Sequence, residues 1–330
     1  MRPSLGKDSR KPRRPLDMSK TPAILNVHQD PGARALWVHQ EIQHAHAFVL
    51  DEKWQIIAAD AARCRMRGAR LSYLLINADD FGLTAGVTEG ILHCSASGLP
   101  FSTSVMPCVP GAEALVPRSM SRFRPGMGLH LQLTQGAPVL PAREVETLVD
   151  ATGRFPIRRL GKAPDARQVA AEWRAQFSRL RSWGVEPDHL DSHHHVHGRP
   201  ELGLLPVYAA LAAETGLPAR SGSRADAACL RQKGIACPDV VVWLSELDGD
   251  LDGLLAALEI ERDIGPANLV VEVACHPGIA DDELASVSRY VSQRERELGL
   301  LLNPETALAV KRCGWTILSY TDLQQVRPNP

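Results

Sequence analysis

Five of the twelve histidines of this 330-residue chain lie within nine residues, in the segment His189-Leu-Asp-Ser-His-His-His-Val-His197. Imidazole and carboxylate are the usual protein ligands of divalent transition metals, so this segment predicts a metal site. If the segment is extended, alternate side chains share one side, and these are His189, Asp191, His193, His195 and His197. His194 then faces the other way. The alternative is a solvated histidine-rich loop, and not all five imidazoles need bind a metal.

An acidic pair lies more than a hundred residues upstream, in Asn77-Ala-Asp-Asp-Phe-Gly82. Asp79 and Asp80 follow an apolar run that predicts a strand. Adjacent strand residues point to opposite sides, so the two carboxylates are expected to do different jobs. One can bind a metal while its neighbour faces a bound water as a base. The alternative is a turn with a helix cap, which Asp and Gly both favour.

Two further histidines are candidate functional residues because of the residues beside them in the sequence. His130 lies in Gly128-Leu-His-Leu-Gln-Leu, among apolar residues, where either a metal ligand or a satisfied core histidine fits. His276 lies in Ala274-Cys-His-Pro-Gly278, where the Pro-Gly pair forces a turn after a strand. A histidine held rigidly at that point suits a general acid or an oxyanion partner. Cys275 alternates with apolar strand residues and is expected to be a buried thiol.

Composition narrows the class of protein. The net charge of -1 argues against a general nucleic-acid or membrane-surface binder. The seven cysteines are scattered without a C-x-x-C pair and indicate thiols in a reducing compartment. No run reaches the roughly 20 apolar residues of a membrane span, and no apolar segment follows the basic N-terminus. A cytoplasmic location without a membrane span is therefore expected.

The composition and the hydrophobic pattern of the sequence change near residue 70. Residues 1–70 are expected to be a partly disordered extension, because residues 1–20 are rich in Lys, Arg, Pro and Ser. From residue 71 to 330, short apolar runs alternate with helical patterns, which predicts a second unit with a parallel sheet. The predicted strands are Tyr73–Asn77, Ser102–Met106, Gly128–Leu133, His189–His194, Ala219–Gly222, Val240–Leu244, Leu269–Ala274 and Thr316–Ser319. Predicted helices include Thr84–Ser97, Ala166–Trp183, Asp281–Leu298 and Pro304–Cys313. Thr84 is a candidate N-cap of the first helix. In the second helix, the spacing of Val169, Trp173, Phe177 and Leu180 indicates core packing.

Eight strands favour an α/β fold of the irregular (β/α) TIM-like barrel type, with an open doubly wound sheet as the alternative. In both architectures, functional residues collect at the carboxyl ends of the strands. The polar residues fall at these ends, since Asp79 and Asp80 follow the first strand and His276 follows the seventh. Apolar strands that end in titratable residues indicate a functional site.

Four of these segments together resemble the YdjC/ChbG family of carbohydrate deacetylases, over residues 71–325. The matching segments are Asn77-Ala-Asp-Asp-Phe-Gly-Leu, Gly128-Leu-His-Leu, the His189–His197 run and Cys275-His-Pro-Gly. The resemblance implies an irregular (β/α) barrel, and it leaves residues 1–70 without a counterpart. It also implies one divalent metal, usually magnesium, bound by Asp80, His130 and His193. Asp79 would be the general base and His276 the general acid.

The implied reaction is removal of N-acetyl groups from chitooligosaccharides, or from a lipid-linked sugar in one branch of the family. Second-layer or substrate roles are predicted for Asp191, His195, His197 and Arg220. Two imidazoles and one carboxylate favour Zn²⁺ or another transition ion over Mg²⁺ on ligand softness. The implied partner is an N-acetylated sugar or sugar-lipid, and the family suggests a homodimer.

Two other functions remain open at the level of the sequence. A metal-dependent phosphoester hydrolase on a barrel would use the closely spaced histidines as paired ligands, and it requires more than one metal. A non-enzymatic metal-binding protein would use the histidine run for storage or sensing.

Overall fold

The computed structural model of the protein describes residues 71–326, apart from 98, 100, 124, 125, 158, 159, 161, 162 and 248. The predicted extension, residues 1–70, lies outside the described residues. Seven strands form one sheet in which every pairing is parallel. The strands are β1 (Ser72–Phe81), β2 (Ser102–Val105), β3 (Met127–Leu131), β4 (Leu190–Ser192), β5 (Val240–Trp243), β6 (Leu269–Cys275) and β7 (Thr316–Leu318).

The strand order is β4-β3-β2-β1-β6-β5, with β7 also paired to β1. One edge of β1 pairs with β6, from Ser72 to Ala78. The other edge is shared, because Tyr73 pairs with Thr316 of β7 and Asn77 pairs with Ser102 of β2. The result is a parallel half-barrel surrounded by helices, which confirms the predicted α/β fold of irregular barrel type.

Ten α-helices of the described residues connect or cover these strands. They are α1 (Ala85–Ala96), α2 (Ala112–Ser119), α3 (Ala166–Ser182), α4 (Leu205–Thr215), α5 (Arg224–Gln232), α6 (Leu251–Ile264), α7 (Asp282–Val287), α8 (Ser292–Leu302), α9 (Pro304–Arg312) and α10 (Tyr320–Val326). Thr84 caps α1 as predicted, since its Oγ1 accepts a hydrogen bond from the Val87 N–H at 3.2 Å. None of the helices within the described ranges combines the length and apolar character needed to cross a membrane.

Two predicted elements differ from the structure. Ala219–Gly222 forms only a single bridge, between Ala219 and Leu190, because β4 is three residues long and offers little edge to pair with. The predicted helix Asp281–Leu298 is divided into α7 and α8. Ser288 lies between them with an extended backbone, and its Oγ accepts a hydrogen bond from the Tyr290 N–H at 3.1 Å. A serine side chain that bonds local backbone competes with helix continuation.

The core lies between the sheet and its helices. Val169, Trp173 and Leu180 on α3 are fully buried, which confirms that their helical spacing marks a packing face. The Trp173 ring meets the ring of Tyr208 on α4 edge to face, with centroids 6.3 Å apart. This packing joins α3 to α4. Tyr208 also donates its hydroxyl hydrogen to the carbonyl of Leu190, the first residue of β4, at 2.6 Å.

Gly128 on β3 is expected to tolerate no side chain. A Cβ at this position would lie 2.3 Å from Cε1 of His189. The His189 ring cannot easily retreat, since it is stacked on Tyr320 at 3.9 Å and its Nδ1 is 2.7 Å from an Asp188 oxygen. Gly128→Ala should lower the free energy of unfolding by about 1–3 kcal/mol through overpacking, as measured by chemical denaturation.

The matched control for Gly128→Ala is Gly253→Ala on α6. A Cβ at Gly253 would meet its neighbours only at 3.7 Å or more. Alanine in place of a helical glycine favours the folded state by up to about 1 kcal/mol. Equal effects of the two substitutions would contradict the predicted collision with His189.

Candidate active site

The carboxyl ends of four strands open into one cavity of about 300 Å³. Asp79 and Asp80 come from the end of β1, His130 from β3, His193 from the residue after β4, and His276 from the residue after β6. Parallel strands place their carboxyl ends at the same edge of the sheet, so residues far apart in sequence meet there. All five lie at the wall of this cavity, as the sequence predicts.

Three donor atoms form a tight triangle in this cavity. Oδ1 of Asp80 lies 3.3 Å from Nε2 of His130 and 3.0 Å from Nδ1 of His193, and the two nitrogens are 3.3 Å apart. Ligand atoms bound about 2.0–2.2 Å from one ion lie about 3.0–3.5 Å from one another. Oδ1 of Asp80 is buried and has no hydrogen-bond partner in the described part of the chain. The triangle therefore fits a divalent metal ion.

The outer nitrogens of both imidazoles are held by other side chains. Nδ1 of His130 is 2.8 Å from Oδ1 of Asp191 and 3.1 Å from Oγ of Ser104. Nε2 of His193 is 3.0 Å from the side-chain oxygen of Gln135. A partner on the outer nitrogen orients a metal-ligating histidine and leaves the inner nitrogen as the ligand. Asp191 and Gln135 are in the positions for this task.

The surroundings of the triangle shift the pKa values of its three residues in different directions. Burial opposes protonation of His130, but the carboxylates of Asp191, Asp80 and Asp79 outweigh it and raise the pKa of this imidazole to about 10. Burial lowers the pKa of His193 despite the attraction of Asp80, which leaves a free lone pair on that ring. Burial acts to raise the pKa of Asp80, yet the Arg294 guanidinium beside it holds this pKa well below its usual value.

Asp79 belongs to a different set of contacts. Its two oxygens each accept a hydrogen bond of 2.7 Å from the guanidinium of Arg220. Arg220 is fully buried and also contacts Asp191 at 3.1 Å and Glu272 at 2.7 Å. Burial acts to raise the pKa of Asp79, but the Arg220 charge, the hydrogen bonds from Arg220 and the nearby His130 and His276 together outweigh burial and hold this pKa below its usual value. Asp79 is therefore ionised at neutral pH, at the edge of the cavity.

The backbone separates the two adjacent carboxylates. Asp80 has a φ of 72°, and the pairing of β1 with β2 changes register between Ala78 and Phe81. A positive φ is costly for a residue other than glycine and clusters at functional sites. Because of this bulge, Asp79 faces Arg220 while Asp80 faces His130 and His193. The two neighbours therefore have different surroundings, and their different tasks stay a prediction.

His276 lines the same cavity as the triangle. Its Nε2 is 3.9 Å from Oδ2 of Asp79, and its side chain is 22% exposed. The His276 backbone N–H donates to Glu297, which also accepts the hydroxyl hydrogen of Tyr290. The Tyr290 and His276 rings meet edge to face at 5.7 Å. His276 is thus held at a fixed place with its imidazole open to the cavity.

The predicted alternation along the histidine run is wrong. β4 ends at Ser192, and the next residues form a tight 3-10 turn in which His194 and His195 have left-handed backbone angles, with φ of 53° and 54°. His194 contacts Oγ1 of Thr134 at 2.9 Å, so only His193 of this run reaches the triangle. Left-handed residues break the period of two on which the prediction rested.

The other histidines of the run have separate surroundings. The ring of His195 lines the cavity edge-on to Trp243 at 5.0 Å, and both its nitrogens are buried without a partner in the described ranges. Nδ1 of His197 is 2.6 Å from Oγ of Ser192, and its ring stacks on Tyr208 at 4.1 Å. His197 therefore supports the turn, whereas His195 lines the cavity together with His193 and His194.

Several residues of the site have no signal in a single sequence. Arg294 and Tyr290 come from the start of α8 and the segment before it, where charged residues resemble an exposed helix face. Gln135 lies in the loop after β3. Glu272 is the exception, because a carboxylate inside the apolar strand Leu269–Cys275 is unusual enough to be noticed. Oε1 of Glu272 accepts from Arg220, and Oε2 accepts from the Tyr320 hydroxyl.

The fold and the site define a protein of the (β/α)-barrel class with its polar centre at the carboxyl ends of the strands. Residues 73–312 match the family model of YdjC-like proteins. The chain belongs to this family.

Relatives agree with this assignment. A carbohydrate deacetylase of Geobacillus stearothermophilus is 34% identical over 256 residues, which cover 77% of this chain and 99% of the relative. One from Enterococcus faecalis is 34% identical and covers 76% of this chain and 97% of the relative. A solved E. faecalis structure, described as a candidate cellobiose-phosphate cleavage protein, has a TM-score of 0.68 and 31% identity, with coverage of 77% and 99%. The predicted family is confirmed, and the predicted class of enzyme agrees with the names of the relatives.

Proposed function

We propose that this protein is a divalent-metal-dependent carbohydrate N-deacetylase that hydrolyses the acetamide of an amino sugar. The observation that supports this most is the triangle of Asp80, His130 and His193, with Asp79 and His276 beside it in the same cavity. The names of relatives at 34% identity over almost their full length support the reaction and the sugar class.

The three triangle residues would hold the metal, leaving room for water and substrate. A bound divalent ion would supply Lewis-acid activation of the water and of the acetamide carbonyl. Two imidazoles and one carboxylate are typical ligands of Zn²⁺ and related ions, whereas Mg²⁺ prefers oxygen. We therefore propose a transition ion as the natural occupant, in preference to the magnesium that the family resemblance implies.

Asp79 is assigned as the general base. It lies next to the triangle without being part of it, and its charge is maintained by Arg220. The same contacts make Asp79 a weak base, so it accepts a proton only as the attacking water becomes strongly acidic. Arg220 also fixes the direction of both Asp79 oxygens, which positions the base before substrate arrives.

His276 is assigned as the general acid. Its Nε2 faces the cavity 3.9 Å from Asp79, so one side chain can receive a proton near where the other donates it. His276 would protonate the sugar nitrogen as the bond between carbon and nitrogen breaks. The products are acetate and a free amine. Each such group typically contributes about 10²–10⁴-fold to the rate.

Neither rival function has support from a specific contact. The second group of possible ligands, Asp79, His130 and Asp191, already holds a cation, because Nη1 of Arg220 lies 2.7 and 3.1 Å from its two carboxylates. A multi-metal phosphoester hydrolase therefore lacks a second open site among the described residues. A storage protein would use several members of the histidine run, but only His193 shares the triangle.

Removal of metal is expected to abolish acetate release from N-acetylated sugars. Protein treated with a chelator and dialysed should regain activity when one equivalent of Zn²⁺, Co²⁺ or Mg²⁺ is restored, with the transition ions more effective. The measurement is acetate release from a panel of N-acetylglucosamine oligomers and glycolipids. The matched control is Asp80→Asn, which should not recover with any ion. Metal-independent release, or no release from any member, would refute the proposal.

A further inference from the structure

A buried arginine that is not part of the triangle donates a hydrogen bond to its carboxylate, Asp80. Arg294, near the start of α8, is 3% exposed, and its Nη2 donates to Oδ2 of Asp80 at 2.6 Å. Its Nε donates to the Tyr290 carbonyl at 3.0 Å, which fixes the direction of the guanidinium. The contact joins residues 214 positions apart. A short, charge-assisted bond of this kind holds the carboxylate in one orientation.

The two oxygens of Asp80 consequently have different surroundings. Oδ2 is engaged by Arg294, whereas Oδ1 faces the two imidazole nitrogens of the triangle at 3.0 and 3.3 Å. A carboxylate without such a partner can offer both oxygens to one cation. With Oδ2 engaged, rotation of Asp80 toward two-oxygen binding would break the bond to Arg294.

Stability alone does not account for Arg294. Its Nη1 is buried and has no hydrogen-bond partner within the described ranges. A buried donor left unpaired carries a desolvation cost that a partner or an apolar side chain would remove. Its charge also lies beside the position where a second positive charge would bind, and like charges in a buried site repel strongly. Both features oppose folding or cation binding, which points to a role in the reaction.

We propose that Arg294 is a positioning residue that restricts Asp80 to one-oxygen ligation and weakens the hold of the triangle on its cation. The proposal rests on the metal-dependent function proposed above. An ion that receives less charge from its ligands is the stronger Lewis acid, and an ion with fewer protein oxygens keeps more positions for water and acetamide. Arg294 therefore lowers the affinity of the triangle for the metal and raises the Lewis acidity of the bound ion.

The test is Arg294→Met, measured first by binding of Co²⁺ and Zn²⁺ alone. Methionine has a similar length and no charge, so Asp80 becomes free to use both oxygens and the repulsion disappears. The variant should bind both ions about 10-fold more tightly, and its Co²⁺ absorption spectrum should change with the added oxygen ligand. The kcat for acetate release should fall about 10–100-fold. A purely structural role would weaken binding and activity together.

Two further variants complete the experiment. Arg294→Lys keeps the charge and one donor, so its metal affinity should stay near that of the parent even if Arg294→Met fails to fold. Arg122→Met removes an arginine with the same 2.6 Å contact to a carboxylate, Glu89, at an exposed site, and should change neither quantity. Metal binding that weakens or stays unchanged in Arg294→Met, or that tightens in Arg294→Lys, would overturn the proposal. Failure of the parent to bind any ion would instead refute the metal-dependent function itself.

Discussion

Asp79→Asn is expected to lower kcat for acetate release by about 10²–10⁴-fold while leaving metal binding intact. Asparagine removes the carboxylate that would take the proton from water. It leaves the donor triangle unchanged, because no atom of Asp79 lies among the three that face one another. The measurement combines acetate release with metal content after dialysis.

Asp80→Asn provides the matched control, since it makes the same carboxylate-to-amide change at the adjacent residue. It should lose metal and activity together, because Oδ1 of Asp80 is a corner of the triangle. The pair of variants separates a base from a ligand at neighbouring positions. Retained activity in Asp79→Asn would exclude Asp79 as the base, and loss of metal from that variant would mean that Asp79 is itself a ligand.

Arg220→Met is expected to lower the free energy of unfolding by about 3–5 kcal/mol. Arg220 is fully buried and is the shared partner of Asp79, Asp191 and Glu272. Without the guanidinium, these buried carboxylates lose their shared cation and must either remain charged in a medium of low polarity or take up protons. The measurement is urea denaturation at neutral pH.

The pH dependence of this effect has a definite sign. In the parent protein, Arg220 outweighs burial and lowers the pKa of Asp79. A carboxyl with a lowered folded-state pKa contributes its full stabilisation above its unfolded value of about 3.9, and loses it as the pH falls toward the folded value. The difference in free energy of unfolding between the parent and Arg220→Met should therefore be largest near neutral pH, and it should become smaller below about pH 4.

The control for Arg220→Met is Arg174→Met, which breaks an ion pair with Glu214 in which both side chains are about half exposed. Such surface pairs contribute about 0–1 kcal/mol. If Arg220→Met lowers the free energy of unfolding no more than Arg174→Met does, then water or a rearrangement compensates the buried carboxylates. A gap that widens in acid would contradict the assigned direction of the Asp79 pKa.

Much of the candidate site could be predicted from local sequence. Asp80 and His130 each follow or lie in a short apolar strand, and parallel strands bring such ends together whatever the length of chain between them. The same logic placed His276 after a strand and before a Pro-Gly turn, and the structure has it there. Thr84 was identifiable as a helix cap because that preference is local.

The histidine run shows where local reasoning ends. An extended chain would have placed His195 and His197 beside His193, but β4 has only three residues and the backbone turns at once. The length of a strand depends on the edge its neighbour offers, and the segment beside β4 contributes one bridge. The left-handed backbone angles of His194 and His195 follow from that tertiary constraint, since neither residue is a glycine.

The sequence by itself determined the donor types, their places at strand ends and the family, because apolar periodicity and motif order are properties of neighbouring residues. Only the tertiary structure decided that Arg220 is shared by three carboxylates and that Arg294 contacts Asp80 from α8. These contacts join residues 29 to 214 positions apart in sequence. A charged side chain on a helix is indistinguishable in sequence from a solvated one until the fold buries it, so its partner is chosen by packing.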